Sequence, residues 1–152
     1  MIKLNNSKLN LEPPGAEAQV PGHVLIVDDN EDLLVITRQV LESFTPFKIF
    51  TARNGHEALQ ALIDQSIDVI ILDEYMPGMA GAEFFRIIRQ RSIYVPVIFL
   101  TGKVDEISRQ EKLALGAFDY LEKPIKASEL ILLVTEGIKV MERIRRLLER
   151  KY

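Results

Sequence analysis

The chain has 152 residues, of which 47% are hydrophobic and 27% charged, and its formal net charge is −3. This composition is typical of one globular domain, and it argues against disorder and against a basic surface that binds nucleic acid. Because there are no cysteines and only two histidines, the sequence excludes disulfides, thiol catalysis and thiolate metal sites, and no apolar run is long enough to span a membrane.

Residues 1–22 predict a flexible N-terminal tail. Three of the seven prolines lie there, and the segment shows neither a helical nor a strand period. The first residues also lack the apolar block of a secretory signal, so we expect a cytoplasmic location.

From His23 onward, short apolar runs alternate with longer amphipathic stretches. The runs predict five strands, over residues 23–28, 47–51, 67–73, 95–101 and 118–123. The stretches between and after them predict helices over residues 31–44, 56–65, 82–91, 105–115 and from about 128 onward. The fourth of these helices is only weakly amphipathic. In the first, one face is predicted to pack inward through Leu33, Ile36, Val40, Leu41 and Phe44.

This alternation predicts an α/β domain with a doubly wound, five-stranded parallel sheet and helices on both faces. Strands one, three and four are continuously apolar, as central strands are. Strands two and five contain Lys48, Asp119 and Glu122, which suits the edges of a sheet. The predicted strand order is therefore 2-1-3-4-5, and a ligand crevice is expected at the carboxyl ends of strands one and three.

Polar residues follow the strands at this edge. Strand one ends in Asp28 and Asp29, strand three in Asp73, strand four in Thr101 and strand five in Lys123. Taken singly, each has an ordinary explanation, such as capping a helix or forming a turn. Together, three carboxylates repel one another unless a cation joins them, and oxygen ligands in an incomplete cage favour Mg²⁺. Carboxylates, Mg²⁺, an ammonium and a hydroxyl are the groups needed to hold a phosphoryl group during transfer.

These residues also lie in motifs that resemble the receiver domains of two-component response regulators, of the chemotaxis-regulator type. The matching segments are Asp28-Asp29, Asp73-Glu-Tyr-Met-Pro-Gly-Met-Ala-Gly81, Thr101-Gly102 and Tyr120-Leu-Glu-Lys123-Pro124. The resemblance covers about residues 23–143, and it implies a flavodoxin-like fold with the strand order given above.

The resemblance implies that Asp73 is the phosphoacceptor. It would take a phosphoryl group from a sensor histidine kinase or a phosphotransfer protein, with Mg²⁺ as the cofactor. Asp29, Asp73 and the backbone carbonyl of Tyr75 would be direct Mg²⁺ ligands, and Asp28 would help through water. The chain would not be an enzyme beyond its own phosphotransfer and autodephosphorylation.

The resemblance also implies a switch. Lys123 would pair with the phosphoryl oxygens, and the Lys123–Pro124 peptide bond would be cis. Thr101 would move to bond the phosphoryl group, and Tyr120 would rotate inward. The face formed by the fourth helix, fifth strand and fifth helix would then change, to control an output, a partner or a homodimer contact through helices four and five.

Two further positions flank the path of the hydrolytic water in this family. They are occupied here by Tyr75, two residues after Asp73, and Lys103, two residues after Thr101. The bulky Tyr75 is expected to shield the acyl phosphate and to lengthen its life.

Residues 144–152 are predicted to extend the last helix beyond the receiver. Ile144, Leu147 and Leu148 continue the apolar period there. They could begin a coiled-coil linker to an output domain or form a dimer contact. The arginines of this segment are better explained as helix-end cations on a solvated face than as a nucleic-acid site.

Three alternatives are less favoured. A phosphatase of the haloacid dehalogenase type, which also forms an aspartyl phosphate with Mg²⁺, needs an Asp where this chain has Tyr75. A nucleotide or flavin binder needs a glycine-rich or hydroxyl-rich phosphate loop, and the loop after strand one is acidic instead. A pseudo-receiver that only binds partners usually lacks the acceptor Asp or the Lys, and both Asp73 and Lys123 are present.

Overall fold

The structure, a computed structural model, describes residues 21–102 and 105–150. Strands and helices alternate along this part of the chain. The strands are β1 (His23–Val27), β2 (Lys48–Ala52), β3 (Val69–Asp73), β4 (Val97–Thr101) and β5 (Asp119–Glu122). The helices are α1 (Glu31–Phe44), α2 (Gly55–Asp64), α3 (Gly81–Gln90), α4 (Glu106–Ala114) and α5 (Ala127–Glu149). The α/β alternation predicted from the sequence is confirmed.

The five strands form one parallel sheet in the order β2-β1-β3-β4-β5, which confirms the predicted order. Every residue of β3 and β4 is buried, whereas β2 and β5 are partly exposed, as the edge assignment requires. Val27 pairs with Leu72, and Asp73 pairs with Leu100. This register brings the carboxyl ends of β1, β3 and β4 to the same edge of the sheet.

Alternate residues of each strand contribute to two apolar layers, because successive side chains of a strand point to opposite faces. One layer packs strand residues such as Leu25 and Leu72 against α2 and α3, and the other packs Ile26 and Ile71 against α1 and α5. The sheet is therefore covered on both faces, and the carboxyl ends of its strands are left as the place where a site can form.

The buried face of α1 differs from the prediction. Leu34, Thr37 and Leu41 are its buried residues, whereas Ile36 and Phe44 are more than half exposed. Apolar residues stand at four consecutive positions from Leu33 to Ile36, so the helical period fits two neighbouring faces. Packing selects the face that contains the small polar Thr37, and the sequence pattern favoured the more apolar one.

Candidate functional site

Three carboxylates meet at the carboxyl edge of the sheet. Asp28 directly follows β1 and is 1% exposed, Asp73 ends β3 and is 5% exposed, and Asp29 is exposed beside them. Carboxylate oxygens of the three residues lie within 4.8 Å of one another. The structure thus brings together the acidic residues that the sequence places at two separate strand ends.

The helix that follows β1 is capped by a different residue. The Asn30 side chain accepts hydrogen bonds from the backbone N–H groups of Asp32 and Leu33, at 3.0 and 3.2 Å. A capping side chain satisfies donors at the helix start. Because Asn30 performs this role, the carboxylates of Asp28 and Asp29 are available for the acidic cluster.

The surroundings of Asp28 are unfavourable for its charge. Its Oδ1 accepts a hydrogen bond from the Asn30 N–H at 3.0 Å, but its buried Oδ2 has no hydrogen-bond donor among the described residues. Burial raises the pKa of Asp28, and the nearby charges of Asp73 and Asp29 act in the same direction. The Asn30 hydrogen bond and the Lys123 cation oppose the rise. A buried carboxylate oxygen without a donor, in a cluster of oxygen ligands, fits a hard divalent cation such as Mg²⁺.

Within the described residues, Lys123 is the one cation that forms ion pairs with this cluster. Its Nζ donates to Asp73 Oδ1 at 3.1 Å and lies 3.7 Å from Asp28 Oδ2. Its backbone N–H donates to the Thr101 carbonyl at 2.7 Å, which holds the loop after β5 against the end of β4. The Lys123–Pro124 peptide bond is cis. A single ammonium group cannot balance three carboxylates, which again favours a metal cation.

A small cavity of about 110 Å³ lies beside the acidic cluster. The buried Thr101, at the end of β4, forms part of its wall, and Tyr75, which is 74% exposed, forms another part. The remaining lining residues are Glu74, Asp105, Ser108, Arg109 and Tyr120. The cavity therefore connects the loop after Asp73 with α4 and with β5.

The Tyr120 side chain already points into the protein in this structure. Its ring stacks on Phe99, with a centroid distance of 5.4 Å and an interplanar angle of 20°, and its hydroxyl oxygen is buried. Burial raises the pKa of Tyr120 to about 12, although the nearby Arg109 cation acts to lower it. The inward position expected after phosphorylation is thus accessible to the ring in the present structure.

Two features of the site were not predicted from the sequence. A Cβ atom at Gly81 would lie 2.4 Å from the carbonyl oxygen of Asp73, so only glycine lets α3 start this close to the end of β3. Glu74 forms an ion pair with Lys112 of α4. The only sequence indication of the importance of Gly81 was its place at the end of the segment that resembles the family. Nothing in the sequence indicated the role of Lys112. Lys103 lies outside the described residues.

A doubly wound parallel sheet that carries an acidic cluster, a lysine and a threonine at its switch point defines the receiver class of signalling domains. Residues 24–135 match the family model described as the response regulator receiver domain. The chain belongs to this family, whose members act in two-component signal transduction.

Known proteins support this assignment. The chain is 33% identical over 121 residues to the response regulator SaeR of Staphylococcus aureus, an alignment that covers 80% of this chain and 52% of SaeR. The structure of a response regulator receiver domain protein from Clostridium thermocellum matches with a TM-score of 0.74 and 30% identity, over 81% of this chain and 98% of that one. The chemotaxis response regulator CheY4 of Vibrio cholerae matches with a TM-score of 0.71 and 32% identity, over 78% of this chain and 99% of that one.

The chain spans about half the length of the curated relatives it matches. Among the residues that the structure describes, none of the helices is both long enough and apolar enough to cross a membrane.

Proposed function

We propose that this receiver accepts a phosphoryl group on Asp73 from a phosphohistidine of a sensor histidine kinase or a phosphotransfer protein. The observation that carries the proposal is the hydrogen bond from Lys123 Nζ to Asp73 Oδ1 inside a buried acidic cluster. A strand-end carboxylate held by a lysine and flanked by two further carboxylates is arranged for phosphoryl transfer rather than for structural stability.

The transfer exchanges one bond to phosphorus for another. An Asp73 carboxylate oxygen attacks phosphorus, the P–N bond to the donor histidine breaks, and its electron pair returns to the imidazole nitrogen. Lys123 stays close to the new phosphoryl oxygens and balances part of their charge, as a point charge on a flexible stem can. The product is an acyl phosphate, which carries a charge of about −2 where the Asp73 carboxylate carried −1.

The acidic cluster would bind the Mg²⁺ ion. Asp28, Asp29, Asp73 and the backbone carbonyl of Tyr75 would hold it, since the three carboxylates lie within 4.8 Å of one another. When bound, the ion supplies positive charge that neutralises the phosphoryl oxygens. The protein residues keep the carboxylates in place, because Asn30 fixes Asp28 through its N–H and the sheet fixes Asp73.

Thr101 and Tyr120 would carry the signal away from the site. Thr101 ends β4 next to the cavity, so its hydroxyl can move to bond the phosphoryl group. Tyr120 occupies the other side of the same cavity, on β5. The proposed output is a change of the face formed by α4, β5 and α5, which would bind a target or a second copy of the chain.

The phosphodonor is expected to dock next to Lys123. An apolar groove of about 260 Å³ runs between α1 and the start of α5, and Lys123 and Pro124 form its wall nearest the acidic cluster. The exposed Ile36 lines the same groove. A donor protein seated here would have its histidine close to Asp73, and the exposed Ile36 side chain could contact it.

The extension of α5 has room for a further contact. The helix continues to Glu149, and Ile144, Leu147 and Leu148 are 42%, 52% and 55% exposed. We assign residues 144–152 to a linker or a dimer contact, outside the receiver proper at 23–143. The side chain of Arg145 also forms an ion pair with the buried Asp68, which holds the extension to the base of the sheet.

Intact-mass measurement tests the proposal. The protein is incubated with acetyl phosphate and Mg²⁺, with an EDTA control and the Asp73→Asn variant alongside. We expect a gain of about 80 Da, one phosphoryl group, only in the wild-type protein and only when both acetyl phosphate and Mg²⁺ are present. Equal labelling of Asp73→Asn would contradict the assignment of Asp73. No labelling at all, where a known receiver is labelled, would favour a pseudo-receiver that acts by binding.

A further inference from the structure

Helix α4 is attached to the sheet in an unusual way. Of its nine residues, all of which the structure describes, Lys112 is the only buried one. The apolar Ile107 is 71% exposed and Leu113 is 36% exposed. A helix on the surface of a domain is normally held by an apolar stripe facing the core. Burial of apolar side chains therefore contributes little to holding α4 against the sheet, so the contacts of Lys112 must contribute more to its attachment.

Lys112 has two kinds of partner. Its ammonium group forms an ion pair with the Glu74 carboxylate, and only 11% and 12% of these two side chains are exposed. The same Nζ lies 5.0 Å from the centroid of the Phe99 ring and 5.6 Å from that of Tyr120. Both rings are close enough for cation–π attraction, which strengthens when the cation is desolvated. Lys112 thus joins α4 to the loop after β3 and to the stacked rings at once.

Glu74 is a fixed partner for this cation. It follows Asp73 directly, its backbone N–H donates to the Leu100 carbonyl at 3.0 Å, and its own carbonyl accepts from the Gly81 N–H at 3.1 Å. These bonds hold Glu74 between the end of β4 and the start of α3. Its carboxylate therefore follows any movement of the segment that begins at Asp73.

A buried ion pair of this type has an asymmetric effect on stability. Removing one partner leaves an uncompensated buried charge, which is strongly unfavourable, whereas neutralising both is often tolerated. Burial already lowers the pKa of Lys112, as expected for an ammonium group withdrawn from water. The docked position of α4 thus depends on the two charges staying together.

We propose that the Glu74–Lys112 ion pair is a latch that holds α4 against the sheet and ties it to the segment that follows Asp73. A shift of that segment would move the Glu74 carboxylate away from Lys112, and α4 would lose its main attachment. The link to phosphorylation depends on the proposed function, but the docking of α4 by the latch does not.

Hydrogen exchange of the α4 amides in the unphosphorylated protein tests the latch. The variants are Glu74→Gln, Lys112→Gln and the double variant, with Glu111→Gln as the control because Glu111 is an exposed carboxylate on the same helix. We expect each single latch variant to speed exchange in α4 about tenfold or more, with β1 and β3 unchanged. The double variant should recover most of the protection, since two amides leave no buried charge and can bond each other.

Two results would overturn the latch. One is exchange in α4 that is equal in wild type, Glu74→Gln and Glu111→Gln. The other is a uniform increase over the whole sheet, which would make the pair a contributor to global stability only.

A second arm repeats the exchange after labelling with acetyl phosphate and Mg²⁺. We expect phosphorylation to speed α4 exchange in the wild type and to have little effect in Glu74→Gln, where the latch is already open. An equal response in both proteins would overturn the tie to Asp73. Failure of the wild type to accept a phosphoryl group would count against the proposed function, and the first arm would still decide whether the latch holds α4.

Discussion

Replacing Asp28 with asparagine is expected to stabilise the metal-free protein and to remove most of the stabilisation by Mg²⁺. Asp28 is almost fully buried, its Oδ2 has no hydrogen-bond donor among the described residues, and two other carboxylates lie within 4.8 Å. Asparagine keeps an oxygen for the Asn30 N–H and removes the charge. Functional sites commonly carry such unfavourable groups at a cost in stability.

The size of the effect follows from the distances. Each of the other two carboxylates lies within 4.8 Å of Asp28, so it repels Asp28 by about 3 kcal/mol or more at an effective dielectric constant of about 20. Lys123 at 3.7 Å offsets about 4 kcal/mol. Solvent screens the exposed Asp29 strongly, whereas the burial of Asp28 adds to the unfavourable side. We expect a net gain in the free energy of unfolding of about 1–2 kcal/mol, or about 2–8 °C in Tm.

The gain has a defined dependence on pH and on metal. Because the pKa of Asp28 is raised in the folded protein, its charge costs stability at neutral pH, and the cost disappears as acid protonates the group. The advantage of Asp28→Asn should therefore shrink at low pH. Mg²⁺ bound at the proposed site would stabilise the folded wild type by mass action, and the variant should gain less.

Urea or thermal unfolding in EDTA and in MgCl₂, at matched ionic strength, measures both effects. Asp64→Asn is the control, since Asp64 is an exposed carboxylate that bonds only Gln60 among the described hydrogen bonds. A metal-free Asp28→Asn protein that is less stable than the wild type would refute the reasoning about the charged cluster. Equal stabilisation of both proteins by Mg²⁺ would refute the part of Asp28 in metal binding.

Three further substitutions have expected outcomes. Gly81→Ala should destabilise the fold by about 1–3 kcal/mol and slow labelling of Asp73, because its Cβ would meet the Asp73 carbonyl; urea unfolding unchanged from wild type would contradict this. Tyr75→Asn should speed autodephosphorylation, by about tenfold if shielding is worth 1.4 kcal/mol; an unchanged rate would remove the shielding hypothesis. The wild-type protein should lose stability between about pH 10 and about pH 12, because the neutral Tyr120 hydroxyl stabilises the fold below pH 10 and this stabilisation is lost as pH rises through the raised pKa. Tyr120→Phe should remove this loss; parallel pH profiles of the free energy of unfolding for the two proteins would show that Tyr120 does not titrate in this range.

The sequence predicted the sheet well because burial on both faces leaves a clear pattern. A central strand covered by helices must be apolar throughout, so β3 and β4 were distinguishable from the mixed edge strands. Once the strand order was set, Asp28, Asp73 and Thr101 had to meet at one edge of the sheet. The assembly of the acidic cluster followed from topology alone.

Helical faces and pair contacts were harder to predict. The four consecutive apolar residues of α1 permit two faces, and the choice depends on what packs against them. The weak amphipathic pattern of α4 reflects a helix whose one buried side chain is a lysine. Glu74 and Lys112 are distant in the sequence and belong to types that are normally solvated. Only the packed structure shows that they form a buried pair.

Location of the phosphoryl group on the chain tests the central claim most directly. Protein labelled with acetyl phosphate and Mg²⁺ is reduced with borohydride, which converts an aspartyl phosphate to homoserine, and its peptides are then sequenced by mass spectrometry. We predict that homoserine replaces Asp73 and that Asp28 and Asp29 remain unmodified. Reduction at Asp28 or Asp29 instead, or at several carboxylates to similar extents, would contradict the account.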